Sequence, residues 1–119
     1  GNSFIITRGI DNCLFCYSID TFNKISNKLN ELPFTKKDAR DFNRFFMSGA
    51  TNVELDKQGR INISPVLINY AHLIKDCVII GTGDRIEIWS SDNWESFFNS
   101  TKDIMSDIAE NLFNESVNL

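Results

Sequence analysis

The strongest constraint on this chain is that part of it is written twice. Phe4-Ile5-Ile6-Thr7 through Tyr17-Ser18-Ile19-Asp20-Thr21-Phe22 aligns with Val78-Ile79-Ile80-Gly81 through Trp89-Ser90-Ser91-Asp92-Asn93-Trp94, the first copy being longer by two residues. Each copy reads as strand, turn, strand and capped helix with an aromatic at its third position. A chain of 119 residues built on such a unit is one domain, or two very small ones sharing a core, and a multi-domain enzyme is excluded. The second copy is preceded by a further hairpin and a short helix, and no such piece stands before the first. The sequence therefore reads as a fragment lacking roughly one hairpin and one short helix at its N-terminal side.

Between the copies the periodicity changes three times. Asp20 is placed to cap a helix whose apolar positions Phe22, Ile25, Leu29 and Leu32 step by three and four, and Pro33 closes it. Thr35 opens a second helix in a variant of the capping box with Asp38; Ala39, Phe42, Phe45 and Phe46 line one face, and Gly49 ends it. Val53 and Leu55 alternate with Glu54 and Asp56, a Lys57-Gln58-Gly59 turn follows, and Ile61 and Ile63 alternate with Arg60 and Asn62, which predicts a hairpin. Ser64-Pro65 then starts a short helix carrying Leu67, Tyr70, Ala71 and Ile74. After the second copy, an acidic amphipathic helix is expected from about Asp92, with Trp94, Phe97, Phe98, Ile104, Met105, Ile108 and Leu112 on its apolar side.

Charge sorts these pieces further. The net charge is −4, yet residues 1–91 hold eleven Lys/Arg against ten Asp/Glu, while residues 92–119 hold one against six. The acidity sits in the tail, and residues 35–60 have a weak basic bias. No apolar run reaches the roughly 18 residues of a spanning helix, and three cysteines do not make a secreted disulfide scaffold. A cytoplasmic protein with reduced thiols is the expectation.

Few residues suggest chemistry. Cys13 and Cys16 form a C-x-x-C that His72 and Cys77 could complete as a zinc site, but residues three apart on a strand point to opposite faces, so buried thiols are expected and no metal. Gly81-Thr82-Gly83-Asp84 reads as a hairpin turn, since no helix N-terminus or Gly-Lys-Ser/Thr follows it. His72, the single histidine, has no nucleophile arrangement beside it. The Phe42, Phe45 and Phe46 cluster reads as core rather than as a base-stacking platform. Lys36, Arg40 and Arg44, spaced by four with Lys37 beside them, read as a solvated face, with a phosphate-facing stripe as the alternative. Asp56-Lys57-Gln58-Gly59-Arg60 is the most informative stretch: a carboxylate and a guanidinium flank a Gly-containing turn, so one can fix the other at a hairpin tip, as phosphate or guanine recognition needs.

Thr35-Lys36-Lys37-Asp38-Ala39-Arg40, Phe45-Phe46-Met47-Ser48-Gly49-Ala50, Glu54-Leu55-Asp56-Lys57-Gln58-Gly59-Arg60-Ile61-Asn62-Ile63 and Arg85-Ile86-Glu87-Ile88-Trp89 resemble the MraZ family. These are transcriptional regulators of bacterial division and cell-wall gene clusters, and the resemblance covers essentially the whole chain. It implies an α+β fold of tandem AbrB-like (SpoVT-AbrB) modules of the swapped-hairpin kind, a double-split β-barrel with flanking helices and a C-terminal amphipathic helix. The corresponding divisions are an incomplete first module over 1–48, a second module over 49–94 and an acidic C-terminal helix over 95–119.

The same resemblance implies a non-enzymatic, sequence-specific repressor, cytoplasmic and nucleoid-associated, with neither cofactor nor membrane. Its partners would be repeated promoter sites in double-stranded DNA and further copies of itself in a ring. Arg60 would contact DNA, with Lys57 and Asn62 beside it and Asp56 bracing the hairpin. The family's first Asp-x-x-x-Arg hairpin has no counterpart here, and Ser64-Pro65 places the proline one residue later than family members do. A ring also reconciles a slightly acidic subunit with DNA, because many weak basic faces act together. The alternative reading is a protein-interaction module that uses the ring or the C-terminal helix.

Overall fold

A computed structural model describes residues 2–114. The fold is α+β, with a five-stranded antiparallel sheet in the order β3-β1-β2-β5-β4. The strands are β1 (Ser3–Arg8), β2 (Leu14–Ser18), β3 (Thr51–Glu54), β4 (Cys77–Gly81) and β5 (Ile86–Ser90). The helices are α1 (Ile19–Asn30), α2 (Lys37–Ser48), α3 (Pro65–Ala71), α4 (Ser91–Thr101) and α5 (Met105–Phe113).

The sequence repeat becomes a repeat of structure. β1–β2–α1 and β4–β5–α4 meet where β2 pairs with β5, Leu14 lying opposite Ile88 and Cys16 opposite Ile86. Ser18 and Ser90 hold equivalent places: each is an N-cap whose hydroxyl accepts the backbone N–H three residues on, from Thr21 and from Asn93. The pairings Phe4 with Ser18 and Cys77 with Ser90 make Phe4 the counterpart of Cys77, and Ile6 that of Ile79. The copies thus differ by one residue, not two. The first loop runs over residues 9–13 and the second over residues 82–85, between Arg8 and Leu14 and between Gly81 and Ile86. The longer loop puts Asp11 and Asn12 in the left-handed region, which their short polar side chains tolerate. Its first residue must be Gly9, because a Cβ there would stand 2.6 Å from the Phe15 ring.

The strands bury both faces. On one, Ile6, Leu14, Cys16, Val53 and Ile88 pack with Leu67 and Ala71 of α3. On the other, Phe15, Tyr17 and Trp89 pack with Phe22 of α1 and Phe46 of α2. Cys13 belongs to the second cluster and Cys16 to the first, as the strand period requires.

Four local expectations change. The cap of α1 is Ser18 and not Asp20, which lies in the first turn. α2 starts at Lys37 with Lys36 as N-cap and no side-chain cap, so Thr35 does not open it. α3 ends at Ala71, its C-cap His72 turning left-handed, and Ile74 falls beyond it, largely exposed. The acidic segment is two helices rather than one: the Ser100 and Thr101 hydroxyls both bond back to the Phe97 carbonyl, a competition with the helix ladder that ends α4.

The middle hairpin is only half a hairpin. β3 pairs with β1, Val53 opposite Phe4. Residues 61–63 form no strand; Ile61 and Ile63 instead pack against the α3-side core, so their alternation is satisfied by burial without a ladder.

Candidate nucleic-acid interface

The turn after β3 is built around one carboxylate. Asp56 Oδ1 accepts the backbone N–H groups of Gln58 and Arg60, each at 2.9 Å, and its Oδ2 accepts Arg60 Nε at 3.0 Å. The Asp56 N–H donates to the Arg60 carbonyl at 2.8 Å and the Gly59 N–H to the Asp56 carbonyl at 3.0 Å, closing the loop. Gly59 sits at φ +75°, with open space where a side chain would be. A β-carbon would fit the space and not the backbone.

These bonds have an electrostatic consequence. The backbone N–H of Arg60, then that of Gln58 and the Arg60 side chain, hold the Asp56 carboxyl below its ordinary value of 3.8. The turn thus favours the carboxylate form of Asp56, the form that pairs with Arg60.

Arg60 is oriented but not consumed. Besides Nε on Asp56, its Nη2 donates to Gln58 Oε1 at 3.0 Å. Nη1 has no hydrogen-bond partner among the described residues, and the side chain is 72% exposed. A guanidinium held at two nitrogens and offered to solvent can reach a phosphate or a guanine edge with little loss of side-chain freedom. Gln58 is not foreshadowed by the sequence: its role depends on where the backbone puts its amide oxygen, and no spacing rule announces that.

Lys57 is exposed at the same tip. Asn62 lies on the return arm, where Asn62, Ile63, Ser64 and Pro65 face β3 across an open groove of about 400 Å³. The turn thus brings Asp56, Lys57 and Arg60 together, and Asn62 stands apart on the groove wall.

The other cations are differently placed. Arg85 donates from Nη2 and Nε to Glu87 Oε2, at 2.9 and 3.2 Å, and lies over the Phe15 ring at 4.3 Å. Its side chain is 30% exposed. Arg8 donates to the Phe45 carbonyl and Ser48 Oγ, both at 2.9 Å. On α2, Asp41 pairs with both Lys37 and Arg44, and Arg40 donates to the Phe34 carbonyl at 3.0 Å. The α2 stripe is thereby partly neutralised, while Arg60 keeps its outward donor.

No group of three His, Cys, Asp or Glu side chains among the described residues stands close enough to hold a metal ion. Cys13 Sγ donates to the Ile10 carbonyl at 3.0 Å, and burial pushes its thiol up to about 12. His72 Nδ1 faces Asn93 Nδ2 at 3.3 Å at the end of α3. None of these is positioned as a nucleophile with a base. No helix of the described residues is long and apolar enough to cross a membrane.

Compared with known protein families, the chain matches the model described as "MraZ protein, putative antitoxin-like" in two segments, residues 1–45 and 46–115. The segments interleave in the sheet: β3 of the second pairs with β1 of the first, and β5 of the second with β2 of the first.

Proposed function

Since the chain belongs to the MraZ family, a family of regulator-like proteins, we propose that it is a sequence-specific DNA-binding transcriptional repressor of a bacterial division and cell-wall gene cluster. It acts without catalysis, in the cytoplasm and at the nucleoid, on repeated promoter sites in double-stranded DNA, as a ring of identical subunits. In this reading residues 1–48 and 49–94 are the two modules and 95–119 the acidic segment, kept away from the DNA.

The observation that carries the reading is the Asp56–Arg60 turn: an exposed guanidinium, oriented at two nitrogens, with an ammonium from Lys57 at the same tip. Arg60 is the base- or phosphate-contacting residue, Lys57 adds backbone charge, Asn62 lies within the footprint and Asp56 is the brace. One such tip binds weakly, and repetition around a ring on repeated sites multiplies it.

The test is fluorescence anisotropy of a duplex from the upstream region of the protein's own operon, at two salt concentrations. Binding should fall steeply with salt, and Arg60→Ala should cost about 1–3 kcal/mol for each base that the guanidinium reads. Unchanged affinity in Arg60→Ala would remove the assignment of that residue. Binding to no duplex at either salt would favour the protein-interaction alternative.

A further inference from the structure

We propose that the C-terminal helix α5 of one copy docks in the groove between the end of α1 and the start of α2 of another, so that this pair of surfaces joins the subunits. The proposal rests on the reading of the protein as a homo-oligomer and says which faces make it one.

α5 has no buried residue, and Ile104, Met105 and Ile108 present an exposed apolar stripe. The chain's radius of gyration is 16.3 Å, against about 13–14 Å for a compact chain of this length. Solvent does not favour an apolar stripe on a helix left so bare. Beside the stripe stand Asp107 and, one turn on, Glu110, with Asp103 in the turn before the helix.

The groove is the complement. It is an indentation of about 130 Å³ whose walls include Leu29, Leu32, Phe34 and Arg40. Phe34 is 80% exposed, and Leu32 is also exposed. Arg40 and Arg44 stand four apart on α2, Arg44 72% exposed although 3.6 Å from Asp41, and Arg40 keeping its charge while donating to the Phe34 carbonyl. Residues three or four apart on a helix share a face, so Arg40 and Arg44 of α2 and Asp107 and Glu110 of α5 are two like-charged pairs of opposite sign that can face each other. Asn43 Oδ1, also in the groove wall, is the one buried side-chain acceptor without a donor among the described residues. A docked chain can supply that donor. Within one chain no ion pair joins α5 to α2 among the described residues.

Each chain carries one groove and one α5. The contact is therefore head-to-tail and closes only as a reciprocal dimer or a ring.

The experiment is sedimentation equilibrium of the full chain without DNA, with circular dichroism as the check on folding. The charge reversals Arg40→Glu with Arg44→Glu, and Asp107→Arg with Glu110→Arg, should each weaken assembly at least a hundredfold. A one-to-one mixture of the two variants should assemble again, because each acidic groove then meets a basic helix and each basic groove an acidic one. Assembly of either variant at wild-type strength, or a mixture that stays dissociated, overturns the proposal while leaving the homo-oligomer reading in place. A wild-type chain that stays monomeric overturns both.

Discussion

The β1–β2–α1 and β4–β5–α4 halves share a backbone plan and differ in what lies over them. Ile6 is fully buried, and its counterpart Ile79 is 59% exposed. Leu14 is fully buried, and Ile86, at the matching step of the second hairpin, is exposed. The cause lies outside the repeat: β3 extends the sheet past β1, and Val53 of β3 with Leu67 and Ala71 of α3 covers that face. No described strand pairs with the outer edge of β4. Local sequence decides strand, turn and cap, while burial is decided by which non-local element arrives.

The largest contrast should appear in thiol chemistry. Cys77 is exposed at the start of β4, whereas Cys13 and Cys16 are buried. At pH 8 a thiol with a pKa of about 12 is ionised in roughly one molecule in 10⁴, and only the thiolate attacks. Native protein should therefore take up one equivalent of an alkylating reagent rapidly, at Cys77, and three after denaturation. Rapid labelling of two or three would mean that the covered half opens. The same burial sets a pH dependence. Unfolded thiols ionise at the ordinary 9.0, so the unfolded chain gives up its proton first. Stability is fully present below pH 9 and declines as the pH rises toward 12, a decline that Cys13→Ala should flatten in urea titrations.

Next comes the core itself. Ile6→Ala should cost about 2–5 kcal/mol, the range for emptying a fully packed aliphatic site. Ile79→Ala should stay within about 0.5 kcal/mol, as surface changes do. Denaturant midpoints at constant m give both numbers. Comparable losses at the two sites would mean that Ile79 is buried in solution, by another molecule or by another part of the protein.

The two arginine-bearing turns extend the contrast. Arg85 lies between Glu87 and the Phe15 ring, and its loss leaves a carboxylate that is 14% exposed with the Trp89 indole N–H on Oε1 and, among the described residues, no donor on Oε2. Arg85→Ala should destabilise the fold by about 1–3 kcal/mol through that uncompensated charge and its unpaired Oε2. Arg60→Ala should leave the thermal midpoint nearly unchanged, because an exposed pair contributes little to stability. A stability loss at Arg60 equal to that at Arg85 would recast its turn as structural.

How much of this was legible can be read from particular residues. The Asp56–Arg60 turn follows from two side chains four apart across a glycine, a short-range relation that spacing reports. Gln58 as second holder of the guanidinium does not, since it depends on the turn's backbone path. The hairpins over residues 3–18 and 77–90 follow from alternation and turn residues. The missing strand at Ile61–Ile63 shows the limit: alternation says which side chains seek burial, and a ladder needs a neighbour that local sequence does not name. The one-residue offset between the copies was hidden in the same way, because only the pairing of Phe4 with Ser18 and Cys77 with Ser90 sets the alignment.

The helix caps are the smallest effect and the point at which the two halves should agree. Ser18-Ile19-Asp20 and Ser90-Ser91-Asp92 each offer more than one capping oxygen, and composition cannot choose among them. The ends of β2 and β5 choose, by holding Ser18 and Ser90 extended at ψ 157° and 150° so that each hydroxyl meets the N–H three residues on. Ser18→Ala and Ser90→Ala should each cost about 1 kcal/mol. Asp20→Ala and Asp92→Ala should each cost only the few tenths of an exposed first-turn carboxylate near the helix dipole. Equal losses at the two serines, against the large difference between Ile6 and Ile79, would separate what the repeat encodes in itself from what β3 and α3 add to one copy. A Ser90→Ala loss well below that of Ser18→Ala would mean that α4 frays without its cap while α1 is held by Phe22 and Phe46, stacked at 5.9 Å.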